Sequence, residues 1–466
     1  DSADAMAGVE AGVEALDAVA AGRGYGNYLS IGWERDRVDI LRSMEQSPFF
    51  QQIRGGLIVG LYNQEAIWPM FGYEGESFSK GGYINRGFND INWVEGRTVM
   101  ATFDMNDDNI VVIIGTGAGG GVLANELAQK GVKVVALEAG GRHLPEDYVN
   151  DEWGSFAQIS WLDTRTTSGN FRLAKDFSGL PSWIVKAVGG STTHWAGASL
   201  RFQEHEWKAR TTYGDVQGAS LLDWPIDGEE LAPYYSKAEE KLRVTRTGDR
   251  EGLPGNNNYK VFEAGAKKLG YKDVHTGRMA INSRDYDDYA ACQQTGFCFQ
   301  GCKWGSKWSS AYHDIPLGEA TGNLEVRENA QALKIEHDDT GKVTGVLYAD
   351  KDGNQHLQKA RIICVAGNSV ESPRLLLNSA SNMFPDGLAN SSGQVGRNYM
   401  RHMTGSVNAV FDQPVRMWRG TTMAGIITDE SRHDPSRGFV GGYEMETLSI
   451  GLPFMAAVLD PGSWGR

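Results

Sequence analysis

The chain has 466 residues, of which 41% are hydrophobic and 22% are charged, and this composition is ordinary for a globular protein of two or more domains. Its formal net charge of −14 gives no sign of binding to nucleic acid or to an anionic membrane, because phosphate groups attract clustered lysine and arginine. No run of eighteen apolar residues occurs, so the sequence predicts no segment that spans a bilayer.

The first hundred residues differ in composition and in predicted secondary structure from the rest of the chain. Helices are predicted at residues 1–22, which are rich in alanine, and at 34–47. The strand–turn–helix motif described next usually lies near the start of a chain, and Met100 stands where a start codon would fall. We therefore interpret residues 1–99 and 100–466 as two polypeptides joined in one numbering, with an ordinary N-terminal extension as the alternative.

A buried strand, a glycine turn, a helix and a second buried strand are predicted at residues 109–142, NIVVIIGTGAGGGVLANELAQKGVKVVALEAGGR. Gly115, Gly117 and Gly120 form G-x-G-x-x-G directly after VVII. Glycines allow a tight turn and close approach to a pyrophosphate, which the helix N-terminus faces. Glu138 ends the second strand, where a carboxylate can accept both ribose hydroxyls. The pattern predicts a dinucleotide site, and its spacing alone does not separate FAD from NAD.

The later part of the chain is richer in strand patterns. Residues 324–367 predict a β-meander that returns to a buried strand, in which Cys364 is a core thiol. From about residue 405 the pattern again favours strands. The predicted fold class is α/β, with a Rossmann-like dinucleotide-binding domain at 100–404, the start of an antiparallel β domain at 405–466 and a mostly helical N-terminal segment.

Three cysteines lie within eleven residues of the segment CQQTGFCFQGCKW, inside a loop at 285–310. Cys292, Cys298 and Cys302 have the spacing C-x5-C-x3-C. Zinc would need a fourth ligand, and the nearest histidine, His313, lies eleven residues beyond Cys302. A local disulfide would leave one thiol over. Three thiolates on a glycine-containing loop favour an iron–sulfur cluster, and three ligands favour [3Fe–4S] over [4Fe–4S]. A structural role for the thiols is the alternative.

Four further segments occur in a fixed order: LEAGGR after the second strand, VGGSTTHWAG at 188–197, VAGNSVESPRLLLNSA at 365–380 and VGRNYMRH at 395–402. Together they resemble the glucose–methanol–choline (GMC) flavoprotein oxidoreductases over about residues 109–410. The resemblance implies the FAD-binding Rossmann-like GMC fold and FAD as the cofactor.

The same resemblance implies roles for particular residues. It places Glu138 on the adenosine ribose and the pair Ala366 and Gly367 near the pyrophosphate. The loop placed against the isoalloxazine contains Gly189, Gly190, Ser191 and His194. His194 matches the position that carries the flavin covalently in pyranose 2-oxidase-like members of the family. A histidine that only hydrogen-bonds or packs beside the ring is the alternative.

A narrower branch of the family is similar as well. The cysteine run, the GGSTTHW segment and residues 1–99 resemble the membrane-associated sugar and polyol dehydrogenases of bacteria, of the gluconate, sorbitol and FAD-glucose dehydrogenase type. The resemblance implies oxidation of a hydroxyl of a sugar, polyol or glycoside, with electrons leaving through a [3Fe–4S] cluster to a cytochrome c. It also implies a small helical subunit, here residues 1–99, and a periplasmic location with peripheral association to the inner membrane through a partner.

The catalytic base is missing from these motifs. GMC enzymes use a histidine paired with a second histidine or an asparagine near the end of the chain. No segment here resembles that motif, so we expect the pair beyond Arg466 and name no catalytic residue. His433 is predicted in an exposed polar turn, His402 in a structural role, and the other histidines give no signal. The alternatives are a GMC-type flavin oxidase that uses O₂, a non-catalytic FAD-binding scaffold subunit, and an NAD-dependent dehydrogenase.

Overall fold

A computed structural model describes most of the chain, which forms two compact units, Asp1–Arg97 and Thr98–Arg466. The described residues are 3–32, 34–62, 64, 101–151, 184–286, 289–400, 402 and 405–449. The predicted junction between residues 99 and 100 lies outside them, as does the end of the predicted β domain after residue 449. The domain boundaries and the question of one or two polypeptides therefore stay predictions.

The described part of the first unit is helical. Its helices are α1 (Ala3–Gly22), α2 (Glu34–Ser43) and α3 (Pro48–Tyr62). Leu16 of α1 packs with Ile31 and Ile40 in a small buried cluster. Helix α2 ends four residues before the predicted end at 47, because Ser47 caps the next helix. The Ser47 Oγ accepts a hydrogen bond from the Phe50 N–H at 3.1 Å. The next helix begins with Pro48, and proline is favoured at the first position of a helix.

The second unit mixes helices and strands. Its described helices are α4 (Ala118–Gln129), α5 (Glu204–Trp207), α6 (Ala209–Tyr213), α7 (Gly228–Lys241), α8 (Asn257–Leu269), α9 (Asp314–Glu319) and α10 (Asn368–Asn378). Its described strands are β1 (Val111–Ile114), β2 (Val134–Leu137), β3 (Val274–His275), β4 (Leu324–Arg327), β5 (Gln331–His337), β6 (Val343–Ala349), β7 (Gln355–Lys359), β8 (Ile362–Val365), β9 (Met423–Ile427) and β10 (Met445–Leu448). None of the described helices, in either unit, combines the length and the apolar character needed to cross a bilayer.

A four-stranded parallel sheet in the order β4–β2–β1–β8 forms the centre of the second unit. Strands β1 and β2 are buried along their whole length, as expected for a sheet covered on both faces. Val112 and Ile114 face a cluster that includes residues of the β5–β6–β7 antiparallel sheet. Val111 and Ile113 face the opposite cluster, which includes Ala124 of α4. Helix α4 begins four residues after β1 ends, so its N-terminus lies at the carboxyl edge of the sheet.

Two predictions about the later strands need correction. The first strand of the predicted meander, β4, joins the parallel sheet beside β2, and only β5, β6 and β7 form the meander. Strand β8 is at the edge of the parallel sheet, so Cys364 is half-buried and not fully enclosed in the core. Its side chain still packs on the buried cluster beside Ile113.

The antiparallel β domain begins later than predicted. The described residues 405–422 contain no strand, and residues 405–414 are all exposed, with Val407 at 96% and Val410 at 101%. A three-stranded antiparallel sheet in the order β10–β9–β3 follows instead, with α8 packed against it. Every residue of β9 is buried, which identifies it as the centre of this sheet.

Candidate functional site

The glycine turn after β1 brings three parts of the main chain together. Gly115 has a φ of +96°, and a Cβ at this position would lie 2.6 Å from the Ala366 carbonyl oxygen. A Cβ at Gly120 would lie 1.9 Å from the Gly115 carbonyl oxygen. Because only glycine lacks a Cβ, these residues let β1, α4 and the end of β8 approach one another.

The N-terminus of α4 is open to an anionic ligand. Its N-cap residue, Gly117, makes no side-chain hydrogen bond to the first turn. The N-terminus of α10 differs, because Asn368 Oδ1 accepts hydrogen bonds from the N–H groups of Val370 at 2.8 Å and Glu371 at 3.0 Å. A pyrophosphate can therefore take the place of a cap at α4, where the helix dipole favours negative charge.

Glu138 lies directly after β2 and is buried. Its Oε2 accepts hydrogen bonds from the Thr116 N–H at 3.0 Å and the Thr116 hydroxyl at 2.7 Å, and its Oε1 accepts one from the Gly140 N–H at 3.0 Å. Burial raises the pKa of this carboxyl, against the lowering effect of these hydrogen bonds. The Gly189 N–H donates to Thr116 Oγ1 at 3.1 Å, so Thr116 connects Glu138 to the loop that begins at Gly189. Sequence reasoning missed Thr116, because any residue can occupy that position of the motif.

The GGSTTHW loop, residues 189–195, packs directly on the glycine turn. It begins with two left-handed glycines, with φ of +93° at Gly189 and +53° at Gly190. A Cβ at Gly189 would lie 2.7 Å from Ala311 Cβ, and one at Gly190 would lie 3.0 Å from Gly117 Cα. The Thr192 hydroxyl is 2.8 Å from the Ser309 hydroxyl. The loop is therefore held between the turn and the segment that follows the cysteines.

These parts enclose a cavity of about 380 Å³ in which most of the predicted cofactor residues meet. The predicted residues that line it are Gly115, Gly117, Glu138, Gly190, Ser191, Ala366 and Gly367. Gly120, Gly189 and His194 are not in contact with it. The two glycines allow the close packing behind the cavity, and His194 points towards the cysteines. The roles of all ten residues in binding a cofactor stay predictions.

His194 connects the GGSTTHW loop to the cysteine segment. Its ring is buried, and its Nδ1 lies 2.8 Å from the carbonyl oxygen of Phe299, which stands between Cys298 and Cys302. The ring of Tyr148 meets it edge-on at a centroid distance of 6.0 Å. Burial and the nearby Lys307 ammonium lower the pKa of His194 to about 3, so the ring is neutral at physiological pH.

The cysteine loop, residues 292–302, brings two of the three thiols to one apolar site. Cys292 and Cys298 pack on the buried cluster that contains Met279 and Ile281. Burial raises the pKa of Cys292 to about 12, and the negative charges of Cys298 and Cys302 act in the same direction. Each thiol is free, and no set of three His, Cys, Asp or Glu side chains among the described residues converges closely enough to hold a single metal ion.

Two backbone N–H groups point at these thiols. The Gln294 N–H lies 3.5 Å from Cys292 Sγ, and the Lys307 N–H lies 3.4 Å from Cys302 Sγ. The Tyr312 hydroxyl is buried and, among the described residues, has no hydrogen-bond partner. Burial raises its pKa, and so does the charge of Cys302. Sequence reasoning missed Lys307 and Tyr312, since both follow the cysteine run with no motif of their own.

The remaining histidines are not all in polar surroundings. His205 and His313 are buried, although their immediate neighbours in the sequence are largely polar. His313 stacks on the Tyr289 ring at a centroid distance of 4.2 Å. His433 is half-buried, and its Nδ1 accepts a hydrogen bond from the Gly441 N–H at 3.1 Å, so the predicted exposed turn is wrong. His402 is exposed.

We expect the protein to lose stability as the pH falls from 7 to 5. Burial lowers the pKa of His313 to about 3, as it does for His194. Both side chains take up protons in the unfolded chain below pH 6.5 but stay neutral in the folded chain. Each therefore reduces the free energy of unfolding by about 2 kcal/mol at pH 5. Urea unfolding at the two pH values measures this loss.

The variant His313→Gln removes one of the two titrating rings. Its loss of stability between pH 7 and pH 5 should be smaller than that of the unmodified protein by about 2 kcal/mol. The control His402→Gln changes an exposed ring and should show the full loss. A His313→Gln protein with an unchanged pH dependence would show that the buried ring does not contribute.

Comparison with known proteins identifies relatives of this chain. A model of the GMC oxidoreductase family matches residues 177–404. The chain is 32% identical over 384 residues to the 2-methyl-1,2-propanediol dehydrogenase of Mycolicibacterium austroafricanum, a match that covers 77% of this chain and 68% of that protein. It is 29% identical over 341 residues to the fructose dehydrogenase large subunit of Gluconobacter japonicus, covering 66% of this chain and 61% of the relative.

An oxidase is also similar to the chain. The paromamine 6'-oxidase of Streptomyces fradiae is 31% identical over 328 residues, a match that covers 66% of this chain and 57% of that protein. The chain thus spans between 57% and 68% of the length of these three relatives. Dehydrogenases and an oxidase are both among the similar proteins, so the similarity does not identify the electron acceptor of this chain.

Proposed function

Because the chain belongs to the GMC oxidoreductases, we propose that it is an FAD-dependent dehydrogenase that oxidises a hydroxyl of a sugar, polyol or glycoside. The family and the α/β fold predicted from the ordered motifs are both confirmed. One observation supports the proposal most strongly. The glycine turn, Glu138, the GGSTTHW loop and the pair Ala366 and Gly367, which lie far apart in sequence, line a single cavity.

The residues around this cavity fit FAD. The uncapped N-terminus of α4 can hold the pyrophosphate, and Glu138 stands where a carboxylate accepts hydrogen bonds from a ribose. When bound, FAD supplies the hydride acceptor that oxidation of an alcohol requires. The GGSTTHW loop would position the reactive ring, with His194 held by its Nδ1 contact to Phe299. None of the described histidines lines the cavity, so we assign no catalytic base.

We further propose that electrons leave through a [3Fe–4S] cluster held by Cys292, Cys298 and Cys302. Each iron of a cluster takes its own thiolate, so the ligands need not meet at one point. The site fits an anionic cluster, because two backbone N–H groups lie close to the sulfur atoms and the buried hydroxyl of Tyr312 has no hydrogen-bond partner among the residues that the structure describes. Hydrogen bonds to the sulfurs are among the factors that set the potential of such a cluster.

Two measurements on the purified protein test the proposal. FAD, iron and acid-labile sulfide should be present in the ratio that one flavin and one [3Fe–4S] cluster require. Under anaerobic conditions, a sugar or polyol substrate should bleach the visible absorption of the flavin, and a c-type cytochrome should then be reduced. An iron-free protein that returns electrons to O₂ would favour the oxidase, and a flavin that no substrate bleaches would favour a scaffold subunit.

The proposed partners and location follow from the branch that the sequence resembles. They are a small helical subunit formed by residues 1–99, a cytochrome c acceptor, and a periplasmic position at the inner membrane. The name of one relative, a fructose dehydrogenase large subunit, supports an assembly of several chains. Intact mass spectrometry will show whether residues 99 and 100 are joined. Fractionation of the native cells, with the flavin absorption as the marker, tests the location.

A further inference from the structure

Lys307 is an unusual feature of the site. It is 1% exposed, and its ammonium lies 2.6 Å from the Cys298 carbonyl oxygen, 2.7 Å from that of Trp195 and 3.0 Å from that of Thr193. No carboxylate in the described part of the chain forms an ion pair with it; three backbone carbonyl oxygens surround its ammonium instead. Buried lysines are rare unless an opposite charge compensates them.

These contacts connect the two loops that the proposed electron path uses. Thr193 and Trp195 belong to the GGSTTHW loop, whereas Cys298 belongs to the cysteine loop. The backbone N–H of the same lysine donates to Cys302 Sγ at 3.4 Å. Lys307 therefore fixes the position of one loop relative to the other, and it does so with a positive charge beside two of the three proposed cluster ligands.

We propose that Lys307 is a positioning residue that holds the GGSTTHW loop at a fixed distance from the cysteine loop and makes the proposed cluster easier to reduce. The inference rests on the proposed function. With both cofactors bound, the step it would serve is the passage of one electron from the reduced flavin to the cluster and on to a c-type cytochrome, and two such passages would return the flavin to its oxidised form. A fixed positive charge favours the added electron, because the buried site screens it poorly.

The variant Lys307→Met tests the charge and the contacts together. It keeps an unbranched side chain of similar length but removes the ammonium and its three hydrogen bonds. EPR-monitored redox titration should show the one-electron reduction equilibrium of the cluster shifted at least about tenfold towards the oxidised form, which is 59 mV for a one-electron couple. Anaerobic stopped-flow should show slower electron transfer from flavin to cluster.

Lys303→Met is the matched control, because Lys303 directly follows Cys302 but is exposed to solvent. It removes the same charge from the same part of the chain, and the potential and the rate should stay those of the unmodified protein, since solvent screens the lost charge. If Lys307→Met does not fold, Lys307→Gln serves instead. It keeps two N–H donors for the carbonyl groups and loses the charge, and we expect it to lower the potential of the cluster.

The outcomes separate this inference from the proposed function. An unmodified protein without iron overturns both. An unmodified protein with a cluster, together with a Lys307→Met or Lys307→Gln variant of unchanged potential and unchanged transfer rate, overturns the role of Lys307 alone. A lowered potential in the Lys307 variants with no change in Lys303→Met supports it.

Discussion

Replacing Cys298 with alanine is expected to remove iron and sulfide from the protein and to leave FAD in place. The proposed cluster needs three thiolates, and Cys298 lies in the middle of the set. Loss of an outer hydrogen-bonding partner costs about 10–100-fold in metal affinity, so loss of a ligand should cost at least that much. Iron analysis, sulfide analysis and EPR measure the cluster, and the visible absorption measures the flavin.

In Cys298→Ala, reduction of the flavin by substrate should be kept, whereas reduction of a cytochrome should fall. A substrate should still bleach the flavin, because the cavity is lined by other residues. Reduction of a c-type cytochrome should fall by at least about tenfold, since the electrons lose their path out of the protein. This division separates a relay from a structural role, which would lower both activities together.

The fourth cysteine supplies the matched control. Cys364 lies on β8, half-buried, and is not part of the cysteine loop. Cys364→Ala should therefore keep its iron, its flavin and its cytochrome reduction. A Cys298→Ala protein with the full iron content of the unmodified protein would contradict the assignment of the three cysteines as ligands. Equal loss of iron in both variants would indicate general destabilisation.

The parts of the fold that the sequence predicts well are those carried by local patterns. The VVII strand, the glycine turn and the second strand can be predicted from their apolar runs and from the spacing of the glycines. The structure has β1, α4 and β2 there. Strand propensity alone is a weaker guide. The segment from residue 405 contains residues that favour strands, yet Val407 and Val410 are almost fully exposed, and no strand forms in the described residues 405–422.

The candidate site shows the same division between local and distant contacts. The spacing of the glycines and of the cysteines predicts their roles, because residues that bind one cofactor from a single loop must lie a few positions apart in the sequence. Lys307 and Thr193 are 114 positions apart, and the Ser310 hydroxyl donates to the Thr116 carbonyl across 194 positions. Contacts over such separations depend on how the whole domain packs, and a lysine or threonine side chain has no local pattern that reveals its partner.

Replacing Gly120 with alanine is expected to yield a protein that carries little FAD and unfolds more easily. The new Cβ would lie 1.9 Å from the Gly115 carbonyl oxygen, a main-chain atom that cannot rotate away. Separation of β1 from α4 would displace the helix N-terminus that is proposed to hold the pyrophosphate. Overpacking of this kind costs about 1–3 kcal/mol, which urea unfolding will measure as a loss of free energy.

Gly265→Ala is the control, because it makes the same change at an exposed position inside helix α8, where a Cβ meets no atom within 4 Å. It should keep its FAD and gain up to about 1 kcal/mol of stability, since alanine favours a helix over glycine. The contrast between two helical glycines isolates close packing from helix propensity. A Gly120→Ala protein with a full complement of FAD would show that the turn tolerates a side chain, and the cofactor would then have to bind without the close approach of β1 and α4.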